Sequence, residues 1–266
     1  MGLSCSSCTG NESLPGGGSS READRLDYVV ALAGNPNTGK STVFNALTGL
    51  KQRTGNWPGK TVMKAEGFVV HGGKRYKLVD LPGTYSLLSA SQDEEIARDF
   101  ILFGDPHATV VVVDSTCLER NLNLVLQVLE ITDRVVVCLN LMDEAARKGI
   151  RVDDASLARD LGVPVVPTVA RSGKGLGRLI ETVSRLVGGE IQTSPHRLSL
   201  DAHLSRAVEG LRPLIERMVP GLPNTQWIAL RLLDGDERIR EALRNGELAH
   251  RASLPLHEDG VSLAPA

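Results

Sequence analysis

Eight residues, Gly34-Asn35-Pro36-Asn37-Thr38-Gly39-Lys40-Ser41, have the types and spacing that suit phosphate. They satisfy G-x-x-x-x-G-K-[ST] at every fixed position. Glycines let backbone N–H groups close around phosphate oxygens, and a helix N-terminus adds partial positive charge. Lys40 can reach the outer phosphates, and Ser41 carries the hydroxyl that such sites place on Mg²⁺. The same letters could form an ordinary turn, but the flanks argue for the motif. Residues 27–33, D-Y-V-V-A-L-A, read as a buried strand, and 42–47, T-V-F-N-A-L, read as the first turns of a helix. Strand, glycine loop and helix are the context the chemistry needs.

A phosphate loop does not name its nucleotide; three later stretches do. Asp80-Leu81-Pro82-Gly83 has the form D-x-x-G at a strand end. Asp80 is placed to hold Mg²⁺ through water, and the Gly83 N–H to meet a γ-phosphate and release on its loss. Asn140-Leu141-Met142-Asp143 has the form N-x-x-D. A carboxylate at 143 can accept from guanine N1–H and N2–H₂, whereas adenine offers no donor at either place. Val169-Ala170-Arg171 can present a backbone N–H to guanine O6. Each short pattern is unspecific alone. Their order, their spacing after Lys40 and their position at strand ends are jointly specific.

Around these residues, short Val- and Ile-rich runs alternate with helical patterns. The spacing predicts strands at 61–71, 74–80, 108–114, 134–140 and 163–167, with Gly72-Gly73 turning a hairpin. Helices are predicted at 92–103, 118–131, 153–161 and 175–187. Such alternation implies an α/β fold with a mostly parallel sheet and one antiparallel edge. Ligands of such sheets sit at the carboxyl ends of the strands. After Gly188-Gly189 the strand signal stops. Residues 201–218 read as an amphipathic helix carrying Pro213, and Asn224 and Asp236 as caps of two further helices. The division expected is a flexible tail over 1–25, a nucleotide-binding domain over 26–190, a small all-α domain over 196–250, and a loose end over 251–266.

The chain has 266 residues, 41% hydrophobic and 3% aromatic, with a net charge of −2. That balance argues against nucleic acid as a partner. No run approaches the roughly 18 apolar residues of a membrane helix. The N-terminus lacks a signal-peptide h-region. The chain therefore reads as soluble and cytoplasmic. Four cysteines, two of them at expected core positions, do not make a disulfide framework. Cys5-Ser6-Ser7-Cys8 supplies two ligands, too few to close a metal site. His71, His107 and His196 read as surface or strand-end residues.

G-N-P-N-T-G-K-S, then G-N-W-P-G-K-T-V over 55–62, D-L-P-G-T-Y-S-L and N-L-M-D resemble the ferrous iron transport protein B family in its N-terminal cytosolic G domain. The resemblance runs from about Tyr28 to Val187. It continues weakly through W-I-A-L-R-L-L-D-G-D at 227–236, which is similar to the family's helical spacer. It implies a six-stranded Ras-like P-loop GTPase fold followed by helices, with a membrane permease region that conducts Fe²⁺ elsewhere in the transporter at the cell inner membrane. No such region lies in this chain, and the helical part looks shorter than the family's.

The resemblance also implies roles. Gly34 to Ser41 with Thr42 would cradle the phosphates of GTP or GDP. Lys40, Thr61 and Gly83 would be catalytic. Ser41, Thr61 and Asp80 would serve Mg²⁺, and Asn37 a K⁺ ion. Leu50 to Lys60 reads as a flexible switch I region, and its family motif is Gly59-Lys60-Thr61-Val62-Met63; Thr54 is the other threonine candidate. Asp80 to Gly83 would be switch II. Thr84 stands where related proteins carry the glutamine that orients water, which implies slow turnover. Leu141 replaces the usual lysine of N-K-x-D, which implies moderate affinity. Trp57 could cover the nucleotide or anchor switch I. A homo-oligomer is open, and a soluble GTPase of ribosome or RNA assembly is the alternative reading.

Overall fold

Alternate residues of the first strand set the layering. β1 (Tyr28–Gly34) sends Val30 and Leu32 to one face of the sheet and Ala31 and Ala33 to the other, all buried. A strand covered on both faces must read as a continuous apolar run, which explains V-V-A-L-A. The computed structural model describes residues 28–248 apart from 51, 89, 90, 198 and 223. The tail with its C-x-x-C and the expected loose end at 251–266 lie outside the described residues.

Six further strands join β1: β2 (Gln52–Asn56), β3 (Met63–His71), β4 (Lys74–Asp80), β5 (Ala108–Asp114), β6 (Val135–Asn140) and β7 (Val165–Pro167). Their order is β2-β3-β4-β1-β5-β6-β7. From β4 to β7 the neighbours are parallel, whereas β3 runs antiparallel to both β2 and β4. The sheet has seven strands rather than six. The extra one is Q-R-T-G-N, inside the stretch expected to be flexible. It carries no β-branched aliphatic residue and is an edge strand, so no apolar run announced it.

Helices cover both faces. α1 (Lys40–Thr48) and α6 (Leu176–Val187) bury Phe44, Leu179 and Val183 against Leu32 and Tyr76. α2 (Gln92–Phe103) and α3 (Leu118–Ile131) cover the other face with Ile101, Leu124 and Val128. Two short helices, α4 (Met142–Arg147) and α5 (Asp154–Leu161), follow β6. α7 (Ala202–Met218), α8 (Thr225–Leu233) and α9 (Glu237–Arg244) continue the second core through Val208, Ile215, Ile228 and Ile239.

Capping follows the sequence with one exception. Asp153, Asp201 and Asp236 each accept an N–H from the first turn of the helix they precede. Asn224 does not. Its backbone is left-handed at φ 58°, and its side-chain amide donates to the Ile131 carbonyl instead, tying α8 to the end of α3. His107 stands at a strand end as expected but is buried. Its Nδ1 accepts the Val29 N–H at 3.0 Å, and its ring meets Tyr28 edge-on. Of the expected core cysteines, Cys138 is buried, and burial pushes its thiol up to about 12. Cys117 is exposed.

Candidate nucleotide site

The glycine loop fills the gap between the end of β1 and the start of α1. Its backbone turns left-handed at Asn37 (φ 67°) and Gly39 (φ 81°). Two glycines are required by space. A Cβ on Gly34 would lie 2.6 Å from the Val112 carbonyl oxygen, and one on Gly39 2.5 Å from the Asn140 side-chain nitrogen. Thr38 folds inward, and its hydroxyl donates to the Asn35 carbonyl at 2.9 Å. Asn35, Pro36, Asn37, Gly39, Lys40, Ser41, Thr42 and Gly83 line one cavity of about 390 Å³. Most of the expected phosphate-loop residues therefore meet in one place, together with the glycine of D-x-x-G. Gly34 and Thr38 are the buried support beneath them.

Lys40 is committed within the protein. Its ammonium pairs with the Asp80 carboxylate and donates to the Leu81 carbonyl at 2.5 Å. The loop and D-L-P-G are thus bridged by one side chain. Gly83 approaches from the same side: a Cβ there would stand 3.5 Å from Pro36. The Thr84 N–H bonds the Gly34 carbonyl at 3.3 Å, and its buried hydroxyl donates to the Ser86 carbonyl.

Asn140 is the hub on the other side. Its amide nitrogen donates to the Thr38 carbonyl at 3.0 Å. Its oxygen accepts the Ala170 N–H at 3.0 Å and the Thr168 hydroxyl at 3.2 Å. One 1%-exposed carboxamide therefore fastens the phosphate loop to the turn that carries Val169-Ala170-Arg171. That turn is a single 3-10 turn, Ala170–Ser172. Leu141 adopts a left-handed backbone, φ 62°, which starts α4 and places Met142 and Asp143 in its first turn. The Asp143 carboxylate is half-buried, 3.7 Å from the Arg147 guanidinium and 3.9 Å from that of Arg171. The sequence offered the Arg171 backbone alone; the approach of its side chain was not legible. Thr168 was missed too, although its place between β7 and V-A-R is a positional signal.

The expected switch I motif lies elsewhere. Gly59, Lys60, Thr61, Val62 and Met63 are not among the residues lining the phosphate-loop cavity, and Thr61 is exposed. Lys60 pairs with Glu95 of α2 at 2.7 Å. Trp57 anchors this segment rather than covering the loop. It is buried, meets Phe100 of α2 edge-on at 5.4 Å, and carries the Lys64 ammonium over its ring at 5.0 Å. Trp57, Pro58, Lys60 and α2 line a second cavity of about 520 Å³, walled also by Arg238 of α9.

Among the described residues no cluster of three or more His, Cys, Asp or Glu could hold a metal ion. A cation at the loop would draw on the Ser41 hydroxyl and the Asp80 carboxylate, hard oxygen donors that suit Mg²⁺ and need its ligand phosphates to complete the shell. No described helix is long and apolar enough to cross a membrane.

Comparison with known proteins gives a consistent result. The family model for ferrous iron transport protein B matches residues 28–183. The Fe(2+) transporter FeoB of Escherichia coli K12 is 40% identical over 212 residues, which cover 78% of this chain and 27% of the transporter. The chain thus spans about a quarter of the length of the curated relatives it matches. Among solved structures, the cytosolic domain of the T. maritima FeoB iron transporter in its apo form is similar at TM-score 0.74 and 36% identity, covering 87% of this chain and 88% of that one. The same domain in a GDP form gives TM-score 0.73 at 36% identity, covering 88% and 89%. The cytosolic domain of L. pneumophila FeoB gives 0.74 at 35% identity, covering 86% and 90%.

Proposed function

Because the chain belongs to the ferrous iron transport protein B family, we propose that it binds GTP and hydrolyses it slowly, as the nucleotide switch of an Fe²⁺ transporter. Residues 26–190 act as the G domain and 196–250 as its helical companion. In the whole transporter the chain sits on the cytoplasmic face of the inner membrane and works with the membrane permease region. The observation that carries this reading is the Asn140 bridge. It holds the phosphate loop and the 168–170 turn at the same end of the sheet as the Lys40–Asp80 pair.

The mechanism follows from which bonds must be exchanged. A bound phosphate competes with Asp80 and Leu81 for the Lys40 ammonium, and charge-assisted bonds to phosphate oxygens favour the exchange. Asp80 would then be free to help Ser41 hold Mg²⁺. Mg²⁺, when bound, would supply positive charge to the phosphate oxygens. Thr61 reaches the site only when the N-W-P-G-K-T segment closes, and there it would join Ser41 as a Mg²⁺ ligand. Gly83 presents its N–H to the γ-phosphate. Asn37, exposed at the cavity rim with a left-handed backbone, would offer a carboxamide oxygen to K⁺. Thr84 is buried and its hydroxyl is occupied by Ser86, so it does not orient the attacking water, and intrinsic turnover is slow.

The test is base selection. Asp143 accepts from guanine N1–H and N2–H₂; xanthine presents a carbonyl where guanine has the amino group. Asp143→Asn supplies an NH₂ donor for that carbonyl. GTP affinity should fall at least about tenfold and XTP affinity rise comparably, in competition against a fluorescent nucleotide. A variant that prefers GTP as strongly as wild type removes Asp143 from base reading and the guanine assignment with it.

A further inference from the structure

The stretch after D-L-P-G is tied to α3 by one side chain. Gln127 Oε1 accepts the Leu87 N–H at 2.7 Å and the Ser86 hydroxyl at 3.2 Å. Ser86 Oγ in turn accepts the Leu88 N–H at 3.1 Å, and the Thr84 hydroxyl donates to the Ser86 carbonyl at 2.7 Å. Leu87 is buried in the core. Seven residues before Gln127, and so on the same face of α3, Arg120 lays its guanidinium over the Tyr85 ring at 4.3 Å. At the upstream end the Thr84 N–H bonds the Gly34 carbonyl. Gly83 is therefore suspended beside the phosphate loop, next to a segment that α3 pins.

We propose that Gln127 is a positioning residue for γ-phosphate recognition: by pinning Ser86 and Leu87 it holds Gly83 against the phosphate loop before nucleotide arrives. The proposal rests on the GTPase reading. Its physical content is pre-organisation. A segment already fixed by hydrogen bonds loses less conformational freedom when the γ-phosphate engages Gly83. GDP has no γ-phosphate and gains nothing from that ordering. The carboxamide is suited to the task because one oxygen serves two donors while its nitrogen reaches Asn123 Oδ1 at 3.4 Å.

The experiment compares GDP and GTPγS binding to the 266-residue chain carrying Gln127→Leu and Gln127→Glu. Leucine removes the acceptor at similar volume; glutamate keeps an oxygen for both donors. GTPγS affinity should fall about tenfold in Gln127→Leu while GDP affinity stays within about twofold, and Gln127→Glu should restore most of the difference. Gln127→Met, also without the oxygen, carries the same expectation should the leucine variant not fold. Amide hydrogen exchange at Leu87 in nucleotide-free protein should speed up in the leucine variant and return in the glutamate one. A GTPγS-to-GDP ratio unchanged in the variants lacking the oxygen, or equal losses with glutamate and leucine, overturns the proposal. Wild-type protein that binds neither nucleotide overturns the GTPase reading itself, a separate result.

Discussion

The carboxyl end of the sheet and its β2–β3 edge are built on opposite terms. At the carboxyl end, Gly34, Thr38, Asn140, Thr168 and Ala170 are all buried, and Asn140 bonds each of Thr38, Thr168 and Ala170. Along the edge, Arg53 to Asn56 and Pro58 to Gly59 are exposed, and within 53–59 Trp57 alone is buried. The first arrangement fits a site whose geometry must stand ready before the ligand arrives. The second fits a segment that must move to close. Buried polar bonds are costly to break, so they fix position; an exposed segment held by edge-strand pairing, one buried ring and the partly exposed Lys60–Glu95 pair can shift at lower cost.

The largest expected effect lies at the fixed end. Asn140→Ala removes three hydrogen bonds and leaves the Thr38 carbonyl and the Ala170 N–H buried without partners. Unfolding free energy should drop by about 2–4 kcal/mol, and nucleotide affinity by more than about tenfold. Denaturant unfolding and nucleotide titration measure both. A loss below about 1 kcal/mol would break the comparison, because the hub would then not be what fixes the loop.

At the edge the same kind of truncation should be silent without ligand. Thr61 is exposed, so Thr61→Ala should change stability by less than about 0.5 kcal/mol. It should leave GDP affinity intact yet weaken Mg²⁺-dependent GTPγS binding about tenfold, if the threonine joins the site only on closure. Equal weakening of GDP would place Thr61 in the resting site and contradict the exposed geometry. A smaller effect is expected at Asn37. Hydrolysis by wild type should run faster in K⁺ than in Na⁺, and Asn37→Ala should abolish the difference. Equal wild-type rates in the two salts would remove the K⁺ role.

The same contrast decides what could be read from the chain. β1, β5 and β6 are apolar runs buried on both faces, and α2 and α3 begin and end where their amphipathic pattern does. The phosphate-loop residues announce themselves because chemistry dictates their types. β2 was not legible, since an edge strand needs only backbone partners, and Q-R-T-G-N has no apolar face to bury. α4 was hidden by the N-x-x-D motif that it begins within. Asn224 has the letter of a helix cap but serves α3 instead, a long-range contact that no local pattern encodes. The position of switch I relative to the cavity depends on Trp57 meeting Phe100, a pairing 43 residues apart that only the folded sheet creates.

The smallest expected effect concerns how firmly the edge itself is held. Glu66 on β3 accepts from Lys64 at 2.6 Å and from Lys77 of β4 at 2.9 Å, and the same Lys64 ammonium lies over Trp57. Partial burial pushes the Glu66 carboxyl up, but the two lysines more than offset it and hold it below its ordinary 4.5. A carboxylate whose folded value is depressed stabilises the fold above its unfolded value, and that contribution disappears as pH falls through the folded one. Glu66→Gln should therefore cost about 0.5–1 kcal/mol at pH 7, the range of partly exposed ion pairs. The gap between wild type and variant should begin to close as pH drops below 4.5. It should also shrink in high salt, where partly exposed pairs are screened. Urea unfolding of both proteins at pH 7 and at stepped lower values measures it. A gap that is constant with pH would mean that Glu66 acts through packing rather than charge. Lys64 would then be held over Trp57 by the ring alone, and the edge would be looser still than its contacts imply.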